Sequence, residues 1–224
     1  MIQLTKRGVI LQPSPGWIEG LQKDFAEHQC IRLPRLIDTD IMQFIYVQMG
    51  NARFLPREYK GIGLETYLPS DASVSTLHFI MNSPEFLRLV ERVTSCGPIG
   101  LFWGRIYRME PTEGHYTSWH DDVIEGDPRL LALSLNLSPE AFAGGELELR
   151  DEKSKQLFCR IANTGFGDAI IFRIAATLEH RVEPVRGTIP KTAYAAWFRP
   201  YESNLHSTLR SQTPICTGDV PRPD

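Results

Sequence analysis

The sequence predicts a mainly β domain of the jelly-roll type, with N-terminal helices packed on one of its sheets. Three observations predict it. From Gly97 onward helical periodicity gives way to strand periodicity. Leu131, Leu133, Leu135 and Leu137 alternate strictly with Ala132, Ser134 and Asn136. Further strand-like runs follow at even spacing between Gly and Pro turns, without the long helices that βαβ units require.

Length and composition bound the rest. All-β folds often reach 224 residues as one domain, so a single domain over 1–200 is expected, with 1–96 as a supporting region, 97–200 as the β core and 201–224 as a polar tail. A hydrophobic content of 42% is ample for a core, and a formal charge of −3 gives no general attraction to nucleic acid or to anionic lipid. No dense basic patch is visible in the linear sequence, which argues against nucleic acid as a partner. The apolar run near the start stops at Gln12 and two prolines, too short for a secretory segment, and no stretch is long enough to span a bilayer. Cys30, Cys96, Cys159 and Cys216 lie far apart without a CxxC pair, so reduced thiols are expected. A soluble cytoplasmic protein follows, its oligomeric state unspecified.

Trp17 to His28 carries Trp17, Leu21 and Phe25 at four-residue steps, the stripe of an amphipathic helix. Cys30 to Pro34 reads as a short strand, and Asp38 or Thr39 caps a second helix running to Met49. Residues 51–73 mix Gly, Pro and charge without a steady period and read as a long surface loop, of the kind that often serves as a lid. Ser83 as cap, Pro84 at the first helical position and Glu85 in the first turn start a third helix, whose buried face is Phe86, Leu87, Leu89, Val90 and Val93.

Beyond Gly97, Leu101 to Arg108 is aromatic and β-branched, and a polar turn from Met109 to His115 leads to a strand ending in His120 and Asp122. The leucines of 131–137 face the helices, while Ser134 and Asn136 line a barrel interior; a solvent-facing edge would give the same alternation. Gly144-Gly145 opens Glu146 to Arg150, and further strands are expected at Leu157–Ile161, Asp168–Arg173, His180–Val185 and Thr192–Arg199.

Trp119-His120-Asp121-Asp122 is the stretch with the most chemistry. In an extended strand residues i and i+2 project from one face, so His120 and Asp122 would aim a nitrogen and a carboxylate oxygen at one point, with Asp121 turned away. A second, distant histidine would complete the 2-His-1-carboxylate triad of non-haem Fe(II) oxygenases, and His180 is the candidate. His28, His78 and His206 are read as surface or core histidines, and His115 as a plain turn residue, with contact to substrate the less favoured alternative.

From Tyr107 to Pro200 the chain resembles the 2-oxoglutarate and Fe(II)-dependent oxygenases, in particular the prolyl 4-hydroxylase-like branch. The pieces come in that family's order: Tyr107, the His120-x-Asp122 pair, Gly144-Gly145-Glu146-Leu147, the strand Gly167 to Phe172, His180 to Val185, then Gly187, Lys191 and Trp197. The resemblance implies a double-stranded β-helix, a cupin-like jelly roll, with His120, Asp122 and His180 as ligands of Fe(II). It implies 2-oxoglutarate as co-substrate and O2 as oxidant, and admits ascorbate as a reductant.

The family anchors the distal carboxylate of 2-oxoglutarate on a basic residue shortly after the second histidine. Lys191, eleven residues beyond His180, occupies that place, and an ammonium there gives a charge-assisted hydrogen bond to a carboxylate. Lys191, Ala193, Ala195 and Trp197 share a face, the alanines leaving room for a small molecule and Trp197 forming a wall. Arg186 is the rival anchor, expected to be exposed. Tyr107, with Tyr116 as second choice, would supply a phenol to the co-substrate.

The implied reaction hydroxylates an unactivated C–H bond and releases succinate and CO2, with Asp122 in place of a small residue favouring hydroxylation over halogenation. Its substrate would be a peptide or protein side chain or a small amino-acid-like metabolite. Two readings from other classes stand beside it: a cupin-like metal enzyme that does not use 2-oxoglutarate, and a catalytically silent β-barrel binding module. An exposed Lys191 would favour the first, an incomplete ligand set the second.

Overall fold

A computed structural model describes residues 2–201 except 13, 70, 113, 163 and 164. The tail expected at 201–224 therefore lies, beyond Tyr201, outside the described residues, and His206 and Cys216 lie there with it.

The first part of the chain is mixed. A hairpin of β1 (Ile2–Thr5) and β2 (Gly8–Leu11) precedes α1 (Trp17–His28), β3 (Cys30–Leu33) and α2 (Thr39–Gly50). A second hairpin, β4 (Leu55–Tyr59) and β5 (Gly63–Tyr67), leads to α3 (Ala72–Met81) and α4 (Pro84–Thr94). Helix starts are set by side chains that satisfy free backbone N–H groups. Asp38 accepts from the N–H of Asp40 at 2.9 Å, Asp71 from Val74 at 3.0 Å and Ser83 from Phe86 at 3.2 Å, each cap worth about 1 kcal/mol.

The second part supplies β6 (Ile99–Met109), β7 (Tyr116–His120), β8 (Leu131–Asn136), β9 (Ala143–Gly144), β10 (Leu147–Asp151) and β11 (Leu157–Ile161). After these come β12 (Ala169–Arg173), β13 (Leu178–Val182), β14 (Val185–Arg186) and β15 (Lys191–Pro200). Hydrogen bonding runs along one antiparallel path, β11-β10-β13-β7-β5-β6-β15-β8-β12-β3, with β4 attached to β5. The ends of this path meet: Cys30 of β3 and Cys159 of β11 hydrogen-bond Sγ to Sγ at 2.9 Å. The result is the nearly closed jelly roll that the alternating leucines and evenly spaced strands predict.

Parity sorts the two faces of the large sheet. Leu131, Leu133, Leu135 and Leu137 pack with Tyr194, Ala196 and Phe198 of β15 against Phe25, Ile45, Leu77 and Phe86 of the four helices. The opposite face of the same strands lines the interior.

Residues 51–73 depart from the expected loop, since the hairpin of β4 and β5 runs through them from Leu55 to Tyr67. β5 bridges the two halves of the roll, pairing Thr66 with Arg108 of β6 and Gly63 with Thr117 of β7. It shows no apolar alternation because Glu65, only 5% exposed, occupies an inward position.

Candidate metal centre

β13 pairs with β7 so that His180 lies directly opposite His120, yet the next aligned pair is Val182 with Thr117. Over that interval β7 carries one extra residue, a β-bulge. The bulge resets the strand's alternation, so that Thr117 and His120 both line the interior. Tyr116 is turned outward and is 38% exposed, which corrects its reading as a phenol for the co-substrate.

Asp122 reaches the centre by another route than strand parity. β7 ends at His120, and Asp122 stands beyond it with φ 60°, a left-handed conformation unusual for a residue with a side chain. Its Oδ1 lies 3.6 Å from His120 Nε2 and its Oδ2 3.6 Å from His180 Nε2. The three donor atoms are within 4.8 Å of one another, close enough to hold one metal ion. Asp121 takes the turn instead, accepting the Val123 N–H at 3.0 Å.

Each donor is oriented by a neighbour. His120 Nδ1–H donates to the Ser118 carbonyl at 2.7 Å, which leaves Nε2 as the lone pair facing inward. Burial, reinforced by His120 nearby, pushes His180 down to about 3, so its imidazole is neutral. Burial also opposes the charge on Asp122. The histidines, the Trp197 indole N–H and Arg129 outweigh that and hold the carboxyl below its usual range. With His180 neutral, more of this falls to Trp197 and Arg129 than proximity alone suggests. Trp197 Nε1–H donates to Asp122 Oδ2 at 2.7 Å, and Arg129 Nη1 lies 3.4 Å from Oδ1. Arg129 is itself held by Asp127 at 2.9 Å and sits 4.2 Å from the centre of the Trp197 ring.

His120, Asp122, His180 and Trp197 share an inner cavity of about 80 Å³ with Tyr107 and Ser134. Burial raises the Tyr107 phenol above its ordinary range although it hydrogen-bonds Ser134. Asn136, expected to line the same space, does not reach it. Its amide accepts the Ser138 N–H at 3.0 Å and donates to the Gly165 carbonyl at 3.0 Å, tying together two loops. His115 likewise serves its turn, accepting the Glu110 N–H on Nδ1 at 2.8 Å.

Lys191 is 2% exposed and directs Nζ to the Gly145 carbonyl at 2.8 Å. It alternates along β15 in step with Ala193, Ala195 and Trp197, but it does not line the cavity beside the three donors. Among the described residues no carboxylate pairs with it. Burial pushes its ammonium down to about 7, opposed only by Glu146. Arg186, the rival, has a side chain 65% exposed and pairs with Glu183 at 3.8 Å.

Arg129, Arg105 and Glu65 were not legible as site residues. Arg105 and Glu65 form a buried pair, Nε to Oε1 at 2.9 Å, beside the same cavity. A lone arginine on an aromatic strand and a glutamate in an apparent loop carry no pattern, and only the pairing of β5 with β6 brings them together.

The model of the 2OG-Fe(II) oxygenase superfamily matches residues 104–199. Among solved structures, a prolyl-4-hydroxylase from Pseudomonas putida aligns with TM-score 0.61 at 15% identity, covering 82% of this chain and 98% of that one. A Trichoplax adhaerens prolyl hydroxylase, solved with a hypoxia inducible factor peptide fragment, aligns with TM-score 0.62 at 14% identity, covering 85% and 92%. The non-heme α-ketoglutarate-dependent epimerase SnoN from nogalamycin biosynthesis aligns with TM-score 0.60 at 15% identity, covering 94% and 95%. A search of curated proteins finds no match. At these identities the structures speak for the fold, and the family match speaks for the chemistry. By that match, residues 104–199 are similar to the core of the 2OG-Fe(II) oxygenases, enzymes of the oxidoreductase class that work with Fe(II), 2-oxoglutarate and O2.

Proposed function

We infer that this dioxygenase hydroxylates an unactivated C–H bond, releasing succinate and CO2, and that His120, Asp122 and His180 hold its iron. The observation that carries this reading is the convergence of three oriented donors on one point inside a cavity. When bound, Fe(II) with 2-oxoglutarate and O2 supplies the oxidising chemistry. The chain supplies the rest. Two imidazoles and one carboxylate form a donor set that suits a divalent metal and leaves other positions open.

Lys191 fits the far end of an anionic co-substrate, because a buried cation without a carboxylate partner gains most from one brought by a ligand. The buried Lys191 counts against a metal enzyme that dispenses with 2-oxoglutarate, and the complete donor set counts against a silent barrel.

The substrate in this reading is a peptide or protein side chain or an amino-acid-like metabolite, the first in keeping with the peptide-bound hydroxylase that shares the fold. Residues 1–200 act in it as one oxygenase domain, with β3 and β5 built into the sheet. Among the described residues no helix is long and apolar enough to cross a membrane, and the unpaired thiols of Cys30, Cys96 and Cys159 are the support for placing the enzyme in the cytoplasm.

The test is turnover against peptide and metabolite pools with Fe(II), 2-oxoglutarate and O2. Succinate should form in step with a product heavier by one oxygen atom. A product of unchanged mass would exclude hydroxylation.

A further inference from the structure

Outside the inner cavity, and sharing His120, Asp122 and Trp197 with it, lies a cleft of about 220 Å³. That is space for a molecule of amino-acid size. Its polar equipment is unusual for an outer wall. Arg105 lines both spaces, its side chain 17% exposed, and among the described residues its one side-chain hydrogen bond runs from Nε to Glu65. Among the described residues its two terminal nitrogens bond to nothing, although the guanidinium carbon sits 5.1 Å from the centre of the Tyr59 ring and 5.3 Å from that of Trp197. Packing on those rings fixes the guanidinium and leaves its outer edge as a pair of donors.

Arg57 leans on the same Tyr59 ring at 4.8 Å and on Tyr67 at 5.2 Å, and it forms no ion pair among the described residues. The carboxylate of Glu65 is already shared between Arg105 and the Tyr59 hydroxyl. Two guanidinium groups and one carboxylate leave a single net positive charge at this wall. The rest of the rim includes apolar side chains, Ile62, Trp103 and Ile124, each more than a third exposed at 38%, 46% and 48%. One net positive charge with forked donors matches a monoanionic carboxylate better than a dianionic phosphate.

Resting on the dioxygenase reading above, we propose that the outer cleft selects a small substrate bearing a free carboxylate, which Arg105 and Arg57 grip while the apolar rim holds its carbon skeleton against the metal site. Arg105 is then a specificity-determining residue.

The experiment uses the full chain loaded anaerobically with Fe(II) and 2-oxoglutarate. The probes are free amino acids and their N-acetyl derivatives, each tested against its own carboxamide, with affinity read by calorimetry. At least one acid should bind ten-fold or more tighter than its amide. Arg57→Gln should weaken that acid ten-fold or more, leave the amide unchanged and leave the visible iron and 2-oxoglutarate absorption band intact. Arg105→Lys, which keeps a cation beside Glu65 but removes the fork, should do the same.

Acids and amides binding alike would overturn the proposal, as would a panel in which no acid binds although the band forms. Loss of the band in Arg105→Lys would place Arg105 on 2-oxoglutarate instead. A wild type that forms no band would overturn the dioxygenase reading itself, and this proposal with it.

Discussion

Lys191 is the residue whose charge state the fold has most altered. Its folded-state value near 7 stands against 10.5 when unfolded. Below pH 7 both states are protonated, and the folded protein bears the full cost of a buried cation. Above that, the unfolded chain binds the extra proton, so stability rises with pH. Between pH 7 and 8.5 the gain should be about 2 kcal/mol in the metal-free protein, measured by urea unfolding and absent in Lys191→Met. Ligand binding should show the opposite sign. If 2-oxoglutarate pairs with the cation, its affinity should fall by up to about ten-fold per pH unit above 7, because the lysine must first recover its proton. Lys191→Ala should then raise the 2-oxoglutarate requirement far more than the iron requirement. Equal effects on both would point to Arg186 or to misfolding. Gly145 belongs to the same device: an added Cβ would stand 3.0 Å from Lys191 Cδ and from Phe142 Cε2, at φ +67°.

At the scale of elements, the site depends on how strands are paired. β6 and β15 run together from Met109 opposite Lys191 to Trp103 opposite Trp197, and Gly104 lies in that ladder opposite Ala196. A Cβ on Gly104 would collide with the Ala196 methyl and the Ala195 carbonyl. Gly104→Ala should therefore cost about 3 kcal/mol, seen as a lowered urea midpoint with an unchanged slope. Much of this level was legible in the sequence. The caps at Asp38 and Ser83 and the leucines of β8 announce themselves by local chemistry and by period. The bulge in β7 does not, because one extra residue leaves no mark on a polar strand; Tyr116 was misread for that reason. His180 is legible as a second histidine for the site, but its place opposite His120 across β7 and β13 is not, and the left-handed turn that brings Asp122 to them reads in the sequence as strand alternation. Asn136 has the parity of Ser134 yet serves two loops, a demand made by the loops and invisible in the strand.

Over the whole molecule, the roll closes where β3, contributed before residue 97, meets β11 through Cys30 and Cys159. That closure was not foreseeable, since cysteines so distant in sequence share no spacing. It means that ligands on the interior bind a space which exists only when the whole path is formed, so metal and co-substrate should stabilise the global fold. At a hundred-fold excess over their dissociation constants the gain is about 2.7 kcal/mol, visible as a rise in Tm under anaerobic conditions.

The central claim, that His120, Asp122 and His180 form one iron site holding 2-oxoglutarate, is tested most directly by anaerobic titration. Adding 2-oxoglutarate to the Fe(II)-loaded protein should produce a weak visible charge-transfer band that is absent in His120→Ala, Asp122→Ala and His180→Ala. A band of undiminished strength in any of the three would contradict it.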